Sequence, residues 1–211
     1  MTRKIVVANS KGGCGKTTIA VHAAAWFASQ NHKVALVDYD VQHSALDWLK
    51  SRPAELQQID GYEPGRAIEE SGYDALIYDL PAGFDSNELI PLIHGADCLI
   101  IPVLPSAIDV KAVVRFLLQL QKSGVLENFD GRVGVVANRV RMQAKFYKYL
   151  TAFMERTPFP TVTTLRDTQS YVSAMAEGKT LFDLPQSRVK QDLDAWYALM
   201  HWICEKQARA A

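Results

Sequence analysis

Short apolar runs alternate with longer, mixed segments along the whole chain. Six runs read as strands: Lys4–Ala8, Lys33–Asp38, Ala75–Asp79, Cys98–Val103, Val133–Ala137 and Phe159–Val162. They are rich in Val and Ile and apolar at consecutive positions, the pattern of strands buried on both faces. Between them the spacing predicts helices at Lys16–Gln30, Ser44–Lys50, Glu63–Ser71, Ser86–His94, Ala107–Lys122, Gln143–Arg156, Thr168–Glu177 and Val189–Ala208. This alternation predicts an α/β fold, a mostly parallel twisted sheet with helices on both faces. There is no repeat, low-complexity tract or long linker, so a single domain over residues 1–211 is expected.

Composition narrows the class. With 48% hydrophobic and 22% charged residues, the chain is globular rather than disordered. No apolar stretch approaches the roughly 20 residues of a membrane helix. The start, Met1-Thr2-Arg3-Lys4-Ile5, runs into the first strand without a signal-peptide layout. Cys14, Cys98 and Cys204 are widely spaced with no C-x-x-C pair, which fits reduced thiols and a cytoplasmic protein.

The most specific chemistry lies between the first strand and the first helix: Asn9-Ser10-Lys11-Gly12-Gly13-Cys14-Gly15-Lys16-Thr17-Thr18. Glycines let successive backbone N–H groups turn around an anion, and the helix N-terminus adds a favourable dipole. In such a loop Lys16 reaches the β- and γ-phosphates of a nucleotide and Thr17 ligates Mg²⁺. The ordinary G-x-x-x-x-G-K-[ST] pattern is broken, because Ser10 stands at its first position and Lys11 precedes the glycine pair.

With that departure the loop resembles the deviant Walker A motif, K-G-G-x-G-K-[ST], of the ParA/MinD family of ATPases. The resemblance implies ATP and Mg²⁺ as ligands, with Gly12, Gly13, Cys14, Gly15, Lys16, Thr17 and Thr18 around the phosphates. It also implies a nucleotide-sandwich homodimer, in which Lys11 crosses to the partner's phosphates. Asp38-Tyr39-Asp40-Val41-Gln42 is similar to the family's D-x-D-x-Q switch, with Val41 where many relatives carry Pro. Asp40 is the candidate for positioning the attacking water, and Asp38 for supporting the metal shell. The apolar run ending in Asp79 resembles a Walker B strand, placing a carboxylate at the sheet edge where it can hold Mg²⁺ through water. Asn138 stands where the family reads adenine, and no N-K-x-D guanine signature appears. Without a dedicated general base, slow hydrolysis through Lys11, Lys16 and Asp40 is expected. The Pro102–Ser106 stretch with Asp109 resembles a family loop near the dimer interface and reads as structural. Cys14 raises the prospect of a thiol-sensitive nucleotide site.

The branches of this family attach one engine to different tasks. Zero net charge, from 23 basic and 23 acidic residues, at first discourages a nucleic-acid role. Divided after Asn138, however, it becomes 12 basic and 16 acidic residues, then 11 basic and 7 acidic. A basic C-terminal part fits ParA-like, sequence-independent DNA binding, with Arg141, Lys145, Lys148, Arg166, Lys179, Arg188 and Lys190 as candidates. Arg166 leads them, in a stretch similar to a ParA region that contributes DNA-contacting arginines. The expected protein is a small ParA-type switch without an N-terminal helix-turn-helix region. It would be nucleoid-associated, segregating or positioning a plasmid, chromosomal site or protein assembly, with a cargo-bound adaptor stimulating hydrolysis. The alternatives are a MinD-like membrane-cycling ATPase and a metabolic enzyme using the same loop. The last helix carries an apolar stripe at Val189, Leu193, Trp196, Leu199, Met200 and Ile203. Asp192, Asp194 and Glu205 accompany it, and acidic residues suit core packing better than a bilayer.

Overall fold

Consecutive residues of each central strand bury into opposite layers. Ile5 and Val7 join one core cluster and Val6 and Ala8 the other; Ile77 and Leu76 divide the same way, as do Ile100 and Leu99. The computed structural model describes residues 2–83, 91–127, 129, 131–141, 151–152 and 158–205. The strands are β1 (Arg3–Val7), β2 (Val34–Asp38), β3 (Asp60–Tyr62), β4 (Ala75–Asp79), β5 (Cys98–Val103), β6 (Arg132–Val140) and β7 (Thr161–Arg166). The helices are α1 (Lys16–Ser29), α2 (Ser44–Lys50), α3 (Ala107–Lys122), α4 (Gln169–Ala176) and α5 (Gln186–Cys204), with 3-10 turns at Glu70–Gly72 and Leu181–Asp183. Among the described residues the strands form one sheet, ordered β3-β2-β4-β1-β5-β6-β7. Every neighbouring pair is parallel.

Helices cover both faces. Helix α1 is apolar almost all round and buries Ile19–Ala25, Phe27 and Ala28, as a helix under a second helical layer must. Helix α5 lays Val189, Leu193, Trp196, Leu199, Met200 and Ile203 into the same cluster. On the opposite face α3 presents Val113, Phe116, Leu117 and Leu120 at spacings of three and four. The α5 stripe is therefore core. Exposing six such side chains to reach a bilayer would forfeit on the order of 10 kcal/mol. Among the described residues no helix is long and apolar enough to cross a membrane.

The two ends of α5 explain its reach. It begins at Gln186, directly after Pro185, earlier than the apolar spacing indicates. At its other end Arg3 donates to the carbonyls of Ile203 and Cys204, and Arg132 to those of Trp202 and Glu205. Cations there satisfy terminal carbonyls and complement the helix dipole.

The sheet's two edges depart from the sequence reading. Strand β3 contains Gly61, where a Cβ would lie 2.8 Å from the Leu46 and Leu49 side chains of α2. Its sequence, Asp60-Gly61-Tyr62, is neither apolar nor alternating. Strand β7 starts after Pro160 and runs to Arg166, beyond the expected Val162, through half-buried threonines. Residues 63–71 are not a helix. Pro64-Gly65 forms a turn, with Gly65 at φ +81°, and only Glu70–Gly72 coils into a short 3-10 turn. Of Ser86–His94, residues 91–94 are helical, and residues 86–90 lie outside the described residues. So do residues 206–208, and all of Gln143–Arg156 except residues 151–152.

One polar side chain sits in the middle of the α1–α5 layer. His22 is fully buried and stacked on Trp196, with ring centroids 4.6 Å apart. Its Nδ1 lies 2.8 Å from the Thr18 carbonyl, and its Nε2 accepts the Leu181 N–H at 3.3 Å. This fixes a neutral ring protonated on Nδ1. Burial lowers its pKa to about 4, below the ordinary value near 6.5. Protons therefore favour the unfolded chain as pH falls from 6.5 to 4. The stability advantage of the wild type over His22→Gln should shrink by about 3 kcal/mol across that window in urea unfolding. A constant difference would show that the imidazole is not held neutral.

Candidate functional site

Parallel strands bring several chain segments to one edge. The Val7↔Asp79 and Asp38↔Asp79 register pairs place the ends of β1, β4 and β2 in one row. This is the carboxyl edge, where open α/β sheets bind ligands. The loop after β1 begins at buried Asn9, whose Nδ2 donates to the Pro102 carbonyl at the end of β5 and whose Oδ1 accepts the Lys11 N–H at 3.0 Å. The second bond is an Asx turn. Sequence reasoning gave Asn9 no role, although an Asn directly after a strand signals such a turn.

Gly13 at φ +73° and Gly15 at φ +95° turn the chain into α1, a backbone path that side chains oppose. A Cβ on Gly15 would also overlap the Asn138 amide. That amide donates to the Cys14 carbonyl at 2.8 Å, while its oxygen accepts the Arg139 N–H at 2.9 Å. Asn138 and Arg139, the latter at φ +52°, occupy an irregularity in the β6–β7 ladder. Such bulges re-aim side chains beside functional sites. Asn138 thus fastens the phosphate loop in this structure.

Lys16 is buried, with its ammonium 3.3 Å from the Lys11 carbonyl and no carboxylate ion pair among the described residues. A buried cation without a counter-ion is poised for an anion. Lys11 is exposed, and its ammonium makes no ion pair among the described residues. Thr17 follows on the first turn of α1 and lies beside Asp79.

Asp79 is 1% exposed, and neither carboxylate oxygen has a hydrogen-bond partner among the described residues. Burial raises its pKa to about 7; the nearby Thr17 hydroxyl and Lys16 offset part of that rise, and the Asp38 and Asp40 charges add to it. The Thr17 hydroxyl makes no well-formed hydrogen bond to either oxygen. An orphaned buried carboxylate next to a threonine hydroxyl suits a hydrated divalent cation.

Asp38 is also fully buried but saturated. Its Oδ1 accepts the Asp40 N–H at 3.0 Å, and its Oδ2 accepts those of Ala45 and Leu46 at 2.9 and 3.2 Å. It holds the following loop and caps α2, so it shapes the site from behind. Asp40 is half-exposed at the site edge, accepting the Gln42 N–H, and Val41 beside it is 81% exposed. Ser106 caps α3 together with buried Asp109, in keeping with a structural reading of that loop. Cys14 departs from the expectation of a sensitive thiol. Its side chain is wholly buried, its S–H donates to the Lys11 carbonyl, and burial raises its pKa, so no reactive thiolate is presented.

The basic candidates separate. Arg166 forms a two-pronged pair with buried Asp192 at 2.9 and 3.0 Å, fastening β7 to α5. Arg141 pairs with Asp167 and Lys179 with Glu177, both at 2.8 Å. Arg188 and Lys190, in the first turns of α5, are exposed and unpaired among the described residues. Lys145 and Lys148 lie outside the described residues.

Comparison with known proteins agrees with this edge. Residues 5–181 match the CobQ/CobB/MinD/ParA nucleotide binding domain, and the chain belongs to that family. The maintenance of carboxysome distribution protein A of Halothiobacillus neapolitanus is 30% identical over 189 residues, 85% of this chain and 87% of that one. Apo McdA from Cyanothece superposes with a TM-score of 0.74 at 22% identity, covering 94% of this chain and 100% of that one. MinD in the MinC:MinD complex of Aquifex aeolicus gives 0.72 at 17% identity, covering 100% and 98%.

The burial of Asp79 has a measurable cost. Above pH 7 its ionised form is disfavoured in the folded chain relative to the unfolded one. Asp79→Asn should raise stability at pH 8 without magnesium by roughly 4 kcal/mol, a gain that shrinks through pH 7 and vanishes below pH 4. Thermal melts across that range check it; equal stability at pH 8 would mean the carboxylate is solvated.

Proposed function

We propose that the protein is a ParA-type ATPase whose ATP-bound homodimer binds DNA without sequence preference and positions a cargo. The observation that carries the reading is the Lys11–Thr17 loop, with its buried Lys16, set against the buried Asp79 carboxylate, neither of them in an ion pair among the described residues. The loop N–H groups of residues 12–18 and the Lys16 ammonium would hold the triphosphate. Thr17 and Asp79 would hold Mg²⁺, and Asp38 would keep the adjoining loop in place. When bound, that ion neutralises phosphate charge and orients the phosphates. Asp40, on the open side of this edge, would orient the attacking water. Lys11, exposed and without an ion pair among the described residues, would cross to the triphosphate of a second copy, as an arginine finger does. Asn138, already bonded to the loop, would border the adenine. With no dedicated base among the described residues at this edge, turnover would be slow and a cargo-bound adaptor would accelerate it.

For the DNA surface, Arg188 and Lys190 are the best placed candidates among the described residues, since Arg141, Arg166 and Lys179 already carry carboxylate partners. A protein assembly is the favoured cargo over a plasmid, because a likeness over 85% of this chain and 87% of the other is to a carboxysome distribution protein. The protein would then reside on the nucleoid. The membrane-cycling alternative loses its main support with the α5 stripe in the core.

Light scattering and DNA retention test the reading together. Wild type should dimerise on ATP and then retain DNA in a salt-sensitive manner. Lys11→Ala should stay monomeric with ATP. Replacing Arg188 and Lys190 by Ala should preserve the dimer and flatten the slope of log affinity against log salt by about 2 per protomer. A Lys11→Ala protein that dimerises normally refutes the crossing lysine, and ATP-bound wild type without DNA retention refutes the ParA-type function.

A further inference from the structure

Residues 178–183 connect α4 to α5, and clamps from two helices hold them. The Trp48 indole of α2 donates to the Lys179 carbonyl at 3.2 Å. Arg52, just past α2, has a side chain only 1% exposed. Its guanidinium reaches the two Asp183 carboxylate oxygens at 3.3 and 3.4 Å, the Gly178 carbonyl at 3.4 Å and the Gln57 carbonyl at 2.9 Å. Asp183 in turn accepts the N–H and hydroxyl of Thr180 at 2.7 and 2.8 Å, ordering the turn. Gly178, at φ +65°, lies so near the Ser51 carbonyl that any side chain there would overlap it. From α1, His22 accepts the Leu181 N–H.

Both clamping helices start at the phosphate site. Helix α1 opens with Lys16, and the first amides of α2 donate to Asp38. Helix α2 has seven residues, so it is a rigid strut about 10 Å long. Beyond Asp183 the chain passes Leu184 and Pro185 into α5, where Arg188 and Lys190 are exposed. A short run of packed parts therefore links the Asp38–Asp40 segment to the basic surface.

We infer that the buried Arg52–Asp183 pair couples the nucleotide edge to the Arg188–Lys190 surface, so that the state of the site sets the position of α5's first turns. The inference rests on the switch reading proposed above. Burial of an ion pair is a poor route to stability, since apolar side chains of similar volume do as well. A planar guanidinium with fixed donors instead favours one placement of α2 over its neighbours.

Amide hydrogen exchange with and without MgATP tests this on full-length wild type, Arg52→Lys and Asp183→Asn. Lysine keeps the charge without the fork; asparagine keeps an acceptor for Thr180 without the charge. In wild type MgATP should slow exchange at both residues 9–18 and residues 177–190. Both variants should keep the slowing at 9–18 and lose most of it at 177–190, together with the ATP dependence of DNA retention. No response at 177–190 in wild type, or an undiminished response in either folded variant, overturns the inference. If one variant fails to fold, the other decides; if both fail, the pair is a stability element and the inference falls. A wild type that shows the exchange coupling but never retains DNA leaves the coupling standing and removes the DNA reading alone.

Discussion

The structure is organised around two ionisable groups buried at the carboxyl edge of the sheet without an ion-pair partner among the described residues. Asp79 is nearly sealed from solvent and, among the described residues, neither of its oxygens is bonded, while Lys16 is buried without a carboxylate counter-ion there. Each is an energetic liability in the isolated chain. Together they would suit a phosphate chain and a hydrated cation, which would discharge both liabilities at once. Stability is held in reserve at the site, the usual relation between function and folding free energy.

Holding those groups in place takes a framework that cannot relax around them. The parallel sheet is buried on both faces, so β4 cannot shift to hydrate Asp79 without disturbing two apolar layers. Asn9 and Asn138 tie the two sides of the phosphate loop to β5 and β6. Asp38, by contrast with its neighbour, is satisfied by three backbone N–H groups. Two adjacent carboxylates in register thus have different tasks: one stays open to a ligand, and the other builds the loop that encloses it.

Membership of the CobQ/CobB/MinD/ParA family fits this division. The Lys11–Thr17 loop is local in the sequence, whereas the basic residues after Asn138 are spread over the C-terminal part of the chain. There α5 is bound to β7 by Arg166–Asp192 and to β1 and β6 by the arginines at its end. Its apolar stripe is committed to the core, while Arg188 and Lys190 in its first turns and Asp194, Tyr197 and His201 further along face solvent.

The sequence alone determined what is local or periodic. The central strands β1, β2, β4 and β5 match their apolar runs to within a residue at either end, because burial on both faces demands unbroken apolar stretches. The phosphate loop was legible because its glycines and lysines act through neighbouring backbone. Edge strand β3 was not, and of β7 only the start was, since a half-exposed strand carries little apolar signal, and the region at 63–71 was misread across a Pro-Gly turn. Only the tertiary structure decided which charges are free. Arg166 and Arg188 look alike in the sequence, yet one is closed by Asp192 from a helix 26 residues away and the other is open to solvent. Likewise Cys14 reads as a reactive loop thiol until the packing over it is seen. Such pairings depend on which distant elements meet, and no spacing along the chain encodes that.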